Sequence, residues 1–206
     1  MEGGDGQDSV FGGAGDDVIS DADGSNYLRG GEGDDSLSGG LGFDDVHGNQ
    51  GNDTVAGGFG DDWVVGGQGD DLQQGGDGWD IVYGNLGRDT LNGDSGSDWV
   101  RGGQQSDKLN GGFGDDWLSG DRDNDTMTGG FGADTFNLFN GSGDDRITDF
   151  SLMEGDLIRW EGGSPSNLTM SQVGANTVIT YDFSNSVTLE GVQMSSLAGK
   201  TWWIVG

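Results

Sequence analysis

The chain has 206 residues, of which 37 are Asp or Glu and 8 are Lys or Arg, so its formal net charge is −29. Without a basic stripe it is poorly suited to nucleic acid, and without cysteine it can build neither a disulfide scaffold nor a thiolate zinc site. The longest run of large apolar residues, Trp202–Val205, is far too short for a membrane span.

A nine-residue repeat runs from Gly3 to Asn137 as fifteen units without insertion or deletion. Each unit reads approximately Gly-Gly-x-Gly-x-Asp-x-apolar-x, as in Gly57–Val65, and a degenerate sixteenth unit, Asn140–Thr148, follows after a slip of two residues. The glycines permit the positive φ of a tight turn. The last three residues of each unit are predicted to form a short strand whose middle side chain points inward.

The inward (eighth) position is apolar in every unit but one, where Gln73 stands. One core side chain in nine residues makes a thin core, so hydrophobic burial alone should not hold the fold. The inward set is Val10, Ile19, Leu28, Leu37, Val46, Val55, Val64, Val82, Leu91, Val100, Leu109, Leu118, Met127 and Phe136.

The sixth position is aspartate in every unit except the one that carries Asn26. Carboxylates and turn carbonyls are hard oxygen donors, and a flexible cage of oxygens suits calcium better than magnesium. Aspartates that merely solvate a surface would be scattered, not fixed inside Gly-rich turns. The predicted metal-binding aspartates of the repeat are Asp8, Asp17, Asp35, Asp44, Asp53, Asp62, Asp71, Asp80, Asp89, Asp98, Asp107, Asp116, Asp125 and Asp134.

These motifs resemble the RTX (repeats-in-toxin) calcium-binding nonapeptide family. The resemblance implies an all-β, right-handed parallel β-roll with two units per turn, in which loops eighteen residues apart clamp calcium. One loop would give its second and fourth carbonyls and its Asp, and the next loop its first and third carbonyls and its Asp. Sites near Asn26 or the Gly-poor loop Gly120–Asp125 should be weaker. Up to about 13 calcium ions would nearly cancel the charge of −29.

The resemblance also assigns individual ligands. One site would join Gly58, Gly60 and Asp62 to Gly75, Asp77 and Asp80, and a site on the other edge would join Gly67, Gly69 and Asp71 to Gly84, Leu86 and Asp89. Further implied ligands are Asp145, Gly13, Gly15, Gly30, Gly31, Gly33, Gly40, Gly42 and Gly57.

From Asp149 to Gly206 the repeat gives way to strand-like runs, predicted at Gly155–Trp160, Leu168–Val173, Thr177–Phe183, Val187–Val192 and Thr201–Val205. We therefore expect a calcium-binding roll over 3–148 and a small β-rich cap with secretion information over 149–206. Gly129–Phe136, Asp145–Phe150 and Gly155–Ile158 resemble the join between roll and cap in this family. The family implies a secreted bacterial protein exported by a type I ABC transporter, and Met1 and Glu2, directly before a unit in full register, favour a longer parent protein.

The odd-numbered units carry nearly all the aromatic residues at outward positions, whereas the even-numbered units carry mostly Ser, Thr and Asn. Such a face could contact a polysaccharide, a cell surface, a parent-protein domain or a second copy, or its rings could merely stabilise neighbouring strands. Too few basic residues are present to favour binding of a polyanion, unless calcium ions bridge the protein and the polyanion. The outward threonines of the even-numbered units are interrupted by other residue types, which argues against an ice-binding face. The candidate ligand face comprises Tyr27, Trp63, Trp79, Tyr83, Trp99 and Trp117.

Catalytic patterns are absent from the sequence. The one histidine, His47, is expected to be a solvated strand residue. The zinc-protease motif His-Glu-x-x-His does not occur. Gly93–Gly96 resembles a serine-protease motif but lies in register as an ordinary turn of the repeat. The sequence thus predicts a module that is not itself an enzyme and that folds on calcium binding outside the cell.

Overall fold

The computed structural model describes residues 1–161, 168–181 and 185–205. The elements are almost entirely strands, in the order β1 (Ser9–Ala14), β2 (Val18–Ser20), β3 (Tyr27–Glu32), β4 (Ser36–Leu41), β5 (Asp45–Gln50), β6 (Thr54–Phe59), β7 (Trp63–Gln68), β8 (Leu72–Asp77), β9 (Ile81–Leu86), β10 (Thr90–Ser95), β11 (Trp99–Gln104), β12 (Lys108–Phe113), β13 (Trp117–Asp121), β14 (Thr126–Phe131), β15 (Thr135–Phe139), β16 (Asp144–Ile147), β17 (Leu157–Glu161), β18 (Thr169–Val173), β19 (Asn176–Thr180), β20 (Ser186–Leu189), α1 (Met194–Leu197) and β21 (Trp203–Val205).

Successive strands alternate between two sheets, which makes the chain a parallel β-solenoid. Sheet I has the order β1-β3-β5-β7-β9-β11-β13-β15-β17-β21, and sheet II the order β18-β19-β20-β16-β14-β12-β10-β8-β6-β4-β2. Within the repeats each strand pairs in parallel with the strand eighteen residues on, as Trp63 does with Ile81 and Ile81 with Trp99. The predicted all-β roll with two units per turn is confirmed.

Most strands of the roll contain six residues, not the three predicted. β7, for example, continues from Trp63–Val65 into Gly66–Gln68 of the next unit. The first residues of a unit remain extended because their backbone groups pair with the neighbouring turns before the chain turns at the fourth position. The loop is therefore shorter than the sequence motif that encodes it.

The core is one cluster of side chains between the two sheets, and the inward residues of both sheets contribute to it. All predicted inward residues are buried except Val10, which is half-buried in the first turn. Gln73 is also fully buried, and its Nε2 donates a hydrogen bond of 2.9 Å to the carbonyl of Tyr83. Its Oε1 has no partner, so this one turn contains a polar core position that is only partly satisfied.

The strands of residues 149–205 continue both sheets. β17 and β21 extend sheet I in parallel, while β20 pairs in parallel with β16 and starts the antiparallel hairpins of β18–β20. Trp160 and Tyr181 are buried with ring centroids 4.5 Å apart. The predicted strand Thr177–Phe183 is found as Asn176–Thr180, and its last predicted residues lie outside the described residues. The boundary at residue 148 stays a prediction.

Helical structure is nearly absent from the described residues, where α1 contains four residues. None of these residues forms a helix of the length and apolar character that crossing a membrane requires.

Candidate metal centre

The sixth-position aspartates form two hydrogen-bonded ladders, one along each edge of the roll. On the odd edge, formed by the loops of odd-numbered units, the amide of Asp62 donates to Oδ1 of Asp80 at 2.7 Å. On the even edge, formed by the loops of even-numbered units, the amide of Asp71 donates to Oδ1 of Asp89 at 2.9 Å. Each Oδ1 thus fixes its carboxylate beneath the loop of the preceding turn.

The second oxygen of these carboxylates lacks a protein partner. Asp62 and Asp80 are 2 % and 0 % exposed, and in both residues Oδ2 is buried without a hydrogen bond. Burying an unpaired ionised carboxylate is costly unless a cation compensates it. The same orphan Oδ2 occurs in the sixth-position residues Asp8, Asp17, Asp35, Asp44, Asp53, Asp71, Asp89, Asp98, Asp107, Asp116 and Asp125.

The first residue of every unit of the array except the third, which begins with Asp21, is a glycine that leaves open the space facing Oδ2. A Cβ added to Gly57 would lie 2.5 Å from Oδ2 of Asp62 and 2.7 Å from the carbonyl oxygen of Gly75 in the next turn. A carboxylate oxygen and a carbonyl oxygen of the next loop therefore face one small cradle, which only the absence of a side chain keeps open.

The carbonyls of the second and fourth glycines face the following turn. A Cβ on Gly76 would collide with the carbonyl oxygen of Gly58, and a Cβ on Gly78 with that of Gly60. The carbonyl of Asp77 accepts the amide of Gly60 at 2.8 Å and so faces back toward the earlier loop. Backbone oxygens of both turns thus lie between the loops that hold Asp62 and Asp80.

The other implied ligands occupy equivalent places. On the even edge the carbonyl of Leu86 accepts the amide of Gly69 at 2.8 Å, and a Cβ on Gly84 would meet Oδ2 of Asp89. Glycines with positive φ at the second and fourth positions include Gly13, Gly15, Gly31, Gly33, Gly40, Gly42, Gly58, Gly60, Gly67 and Gly69.

The donor set fits a hard cation. Among the described residues no three acidic or histidine side chains converge on one point. Each predicted centre instead combines two carboxylates with backbone carbonyls, a chemistry typical of calcium.

Burial also raises the pKa of the ladder carboxyls. Desolvation, assisted by the negative charge of Asp44, raises the pKa of Asp62 to about 7, although the amide of Asp44 opposes the shift. Desolvation, together with the charges of Asp89 and Asp53, raises the pKa of Asp71 to about 8. Without a cation the roll therefore disfavours the charged form of the groups that it buries.

The fifth position contributes a second ladder, which the sequence reasoning missed. On the even edge the amide of Asn52 donates to Oδ1 of Asp34 at 2.7 Å, and the amide of Asp70 donates to Oδ1 of Asn52 at 2.8 Å. These bonds run in the opposite direction along the chain from those of the sixth position. The frequent Asp or Asn at the fifth position was the available signal.

Two places depart from the regular site. Asn26 keeps the ladder, because its Oδ1 accepts the amide of Asp8 at 3.0 Å, but it presents a buried amide nitrogen where other units have Oδ2. In the loop Gly120–Asp125, Asp123 accepts the amide of Gln105 at 3.1 Å through its side chain, and the amide of Arg122 donates to the carbonyl of Gly103. The carbonyl of Gly103 thus accepts one amide hydrogen bond from this loop.

The ladders end on carboxylates whose two oxygens are both engaged. Asp145 accepts the amide of Asp125 at 3.1 Å and the hydroxyl of Ser142 at 3.1 Å. Asp156, which was not predicted as a site residue, accepts the amides of Asp134 and Ser151 at 3.0 and 2.7 Å. At the C-terminal end, both oxygens of each carboxylate thus have protein donors, and Asp145 stays a predicted ligand.

The predicted aromatic face lies on the outer surface of sheet I and the adjoining odd edge. Trp79, Trp99 and Trp117 form a contact series with ring centroids 6.4 and 5.2 Å apart. Tyr27, Trp63, Trp79 and Trp99 are exposed, whereas Tyr83 and Trp117 are half-buried.

His47 is half-buried on sheet I, and not solvated as predicted. Its Nε2 lies 2.8 Å from Oδ1 of Asp45, and its ring packs against Trp63 at a centroid distance of 5.7 Å. Burial, with the charge of Arg29, lowers its pKa. The side chain is held in the aromatic row and away from the metal ladders.

A protein-family model matches most of the repeat array. The family model described as the RTX calcium-binding nonapeptide repeat (4 copies) matches residues 2–37, 11–46, 38–72, 74–109 and 101–136, which together exceed half of the chain. No curated protein sequence matches the chain significantly.

Two solved structures resemble parts or all of the roll. The extracellular lipase LipA from Serratia marcescens is 18 % identical over 96 % of this chain, with a TM-score of 0.46, and the chain spans 40 % of that protein. The AlgE6R3 subunit of the Azotobacter vinelandii mannuronan C5-epimerase is 28 % identical over 68 % of this chain and 81 % of its own, with a TM-score of 0.39. On the strength of the family model, the chain belongs to the RTX calcium-binding nonapeptide repeat proteins.

Proposed function

We propose that the chain is a structural calcium-binding module that folds on calcium binding after type I secretion and stabilises or presents a secreted parent protein. The observation that carries this proposal is the series of buried, unpartnered Oδ2 atoms, exemplified by Asp62 and Asp80. A chain with a formal charge of −29 cannot stably bury such a series in its ionised form without cations.

Calcium would supply positive charge and oxygen coordination between stacked loops. Asp62 and Asp80 would give their free carboxylate oxygens, and Gly58, Gly60 and Gly75 their carbonyls. The third-position carbonyls, such as those of Asp77 and Leu86, keep a lone pair beside the amide bond that they accept. Up to about 13 such sites follow from the resemblance, fewer where Asn26 or the loop Gly120–Asp125 intervenes.

Secretion and folding are coupled in this proposal. In the low calcium of a bacterial cytosol the repulsive chain stays unfolded and can thread an ABC exporter. Outside the cell, calcium binds the native state only, so the binding free energy becomes folding free energy. Residues 149–206 would cap the roll of residues 3–148 and carry the secretion information.

A calcium titration followed by far-UV circular dichroism tests this function, with magnesium as the matched control. We expect a cooperative transition from coil to β-structure in calcium alone. β-structure already complete in chelator at neutral pH would contradict folding by metal binding.

A second candidate function rests on the contact series of Trp79, Trp99 and Trp117. Aligned aromatic rings at a surface, of which Trp79 and Trp99 are exposed here, are typical of faces that stack on sugar rings, on a parent-protein domain or on a second copy. Replacing Trp63, Trp99 and Trp117 with Ser should leave calcium-driven folding intact and abolish retention on a neutral glycan. Sedimentation in calcium, with and without the three tryptophans, separates glycan binding from self-association.

A further inference from the structure

A cavity of about 540 Å³ opens on the outer surface of sheet I, where β9, β11 and β13 reach the even edge. Its lining includes Tyr83, Arg101, Arg122 and Phe139, together with the glycines Gly102 and Gly103. We propose that this cavity binds a sugar that carries a carboxylate, that is, a uronic acid unit. The proposal goes beyond calcium-driven folding and adds a ligand class to the second candidate function on the same sheet.

The cavity is formed by departures from the repeat that converge at one place. Asp121 occupies a second position with φ 73°, where most units have glycine, and Phe139 belongs to the two-residue slip after the array. In the described chain six non-glycine residues have positive φ, and four of them lie on this stretch of the even edge: Asn85, Gln105, Asp121 and Asp123. Backbone strain of this kind persists where the surroundings impose it, and it clusters at functional sites.

The charges of the cavity fit one carboxylate. Arg101 donates through Nε to Asp121 at 2.5 Å and lies over the Tyr83 ring at 5.7 Å, so its charge is already paired. Arg122 is exposed and forms no ion pair with another described residue. The net charge of the three groups is therefore a single positive charge. A guanidinium binds a carboxylate through two parallel hydrogen bonds, and one positive charge suits such a monoanion better than a phosphate dianion.

The remaining walls suit a sugar ring. Tyr83 and Phe139 provide aromatic surface, and Asn85 and Gln104 provide side-chain amides for hydroxyl groups. Trp99 points to the same face of β11 as Arg101, and its ring lies 5.2 Å from that of Trp117. The next units of an oligosaccharide would thus extend over the tryptophans. The acidic composition alone disfavoured a polyanion, but it did not reveal that two of the 8 basic residues line one cavity.

Calorimetric titration of the calcium-loaded chain tests the proposal, with circular dichroism confirming the fold of each variant. The probes are a trimer of galacturonic acid, the neutral trimer maltotriose, and acetate, which has the carboxylate without the ring. The exposed residue Arg122 is changed in Arg122→Gln, and the matched control is Arg88→Gln, an exposed arginine of the same edge outside the cavity.

We expect the uronate trimer to bind, Arg122→Gln to weaken it by about tenfold or more, and Arg88→Gln to leave it unchanged. Phe139→Ala should weaken the uronate trimer as well, and acetate should not compete at equal concentration. No binding of the uronate trimer, or equal binding by Arg122→Gln, would overturn the proposal. Equal binding of maltotriose would also overturn the proposal, but it would support the second candidate function at the contact series of tryptophans. Failure of the unmodified chain to fold in calcium, measured by circular dichroism, would separately contradict the proposed folding function.

Discussion

Asp80 accepts the amide of Asp62 through Oδ1 at 2.7 Å, while its Oδ2 is buried without a partner. One oxygen thus joins two turns through the protein alone, and the other is left for a cation. Oδ1 therefore belongs to the hydrogen-bonded part of the fold, whereas Oδ2 belongs to the part that requires a cation.

The Asp62→Asn variant should lose calcium affinity at two stacked sites, because Asp62 lies between the loops before and after it. If each site weakens about tenfold, the stability at a fixed calcium concentration falls by about 3 kcal/mol. Calcium titration of the variant measures the calcium midpoint, which is the calcium concentration at which half of the chain is folded. Glu32→Gln, which removes the same charge from an exposed side chain, is the control. A midpoint equal to that of the control would contradict the ladder.

Gly57→Ala should raise the calcium midpoint by filling the cradle. The added Cβ would lie 2.5 Å from Oδ2 of Asp62, and Gly57 lacks the positive φ that would strain an alanine. The change therefore fills the site, where it also meets the carbonyl oxygen of Gly75 at 2.7 Å, without placing an alanine at a positive φ. Gly58→Ala, at φ 121°, should impair folding through strain as well. The calcium midpoints and the circular dichroism spectra in chelator distinguish the two variants. An unchanged calcium midpoint in Gly57→Ala would mean that the cation binds elsewhere.

In chelator the chain should gain β-structure on acidification. Burial raises the pKa of Asp62 to about 7 and that of Asp71 to about 8 from 3.8, so the folded state binds more protons than the unfolded state. Stability from these groups is complete below the unfolded pKa and is lost as the pH rises through about 7 to 8. Circular dichroism at pH 8 and pH 5 measures the effect.

The calcium-loaded chain should respond to pH in the opposite direction, because its ligands must be deprotonated. Its calcium midpoint should therefore rise as the pH falls from 8 to 5. The account of the buried carboxyls fails if acidification in chelator leaves the chain as unfolded as at pH 8.

Gln73→Leu should stabilise the calcium-loaded roll by about 1 kcal/mol, because it removes a buried acceptor without a partner and adds apolar contact with Leu91 and Val55. The lost bond to the carbonyl of Tyr83 limits the gain. Thermal unfolding measures it, and Gln74→Leu, one residue further on at an exposed position, is the control. A lower melting temperature than in the control would mean that the bond to Tyr83 dominates.

Removal of residues 149–206 should raise the calcium midpoint of the roll. The deletion exposes the edges of β15 and β16 and removes the carboxylate of Asp156, which accepts the amide of Asp134. Trp160→Ala tests the same packing in the full chain, with the 98 % exposed Met153 changed to Ala as control. An unchanged midpoint in the truncated chain would give this region a role other than capping.

The repeat predicts the fold well because its period of nine places one apolar residue and one aspartate at the same point of every turn. Alternation of odd and even units predicts which rings share sheet I. The length of the strands, by contrast, depends on pairing between turns, which the glycines of a single unit do not reveal.

The parts of the site that were missed depend on contacts across turns. The fifth-position ladder of Asp34 and Asn52 needs a residue eighteen positions away. The partner of Gln73 lies in the following unit, and the cavity at Arg122 joins residues of several units, so no single unit predicts them. His47 was misjudged for the same reason, because Trp63 covers it from the next strand.

A crystal structure of the calcium-loaded chain, with the ions located by their anomalous scattering, tests the central claim most directly. We predict an ion between the loops of Asp62 and Asp80, with their Oδ2 atoms and the facing glycine carbonyls at about 2.3–2.6 Å. Calcium bound instead to exposed fifth-position carboxylates such as Asp61, with the cradle at Gly57 empty, would contradict it.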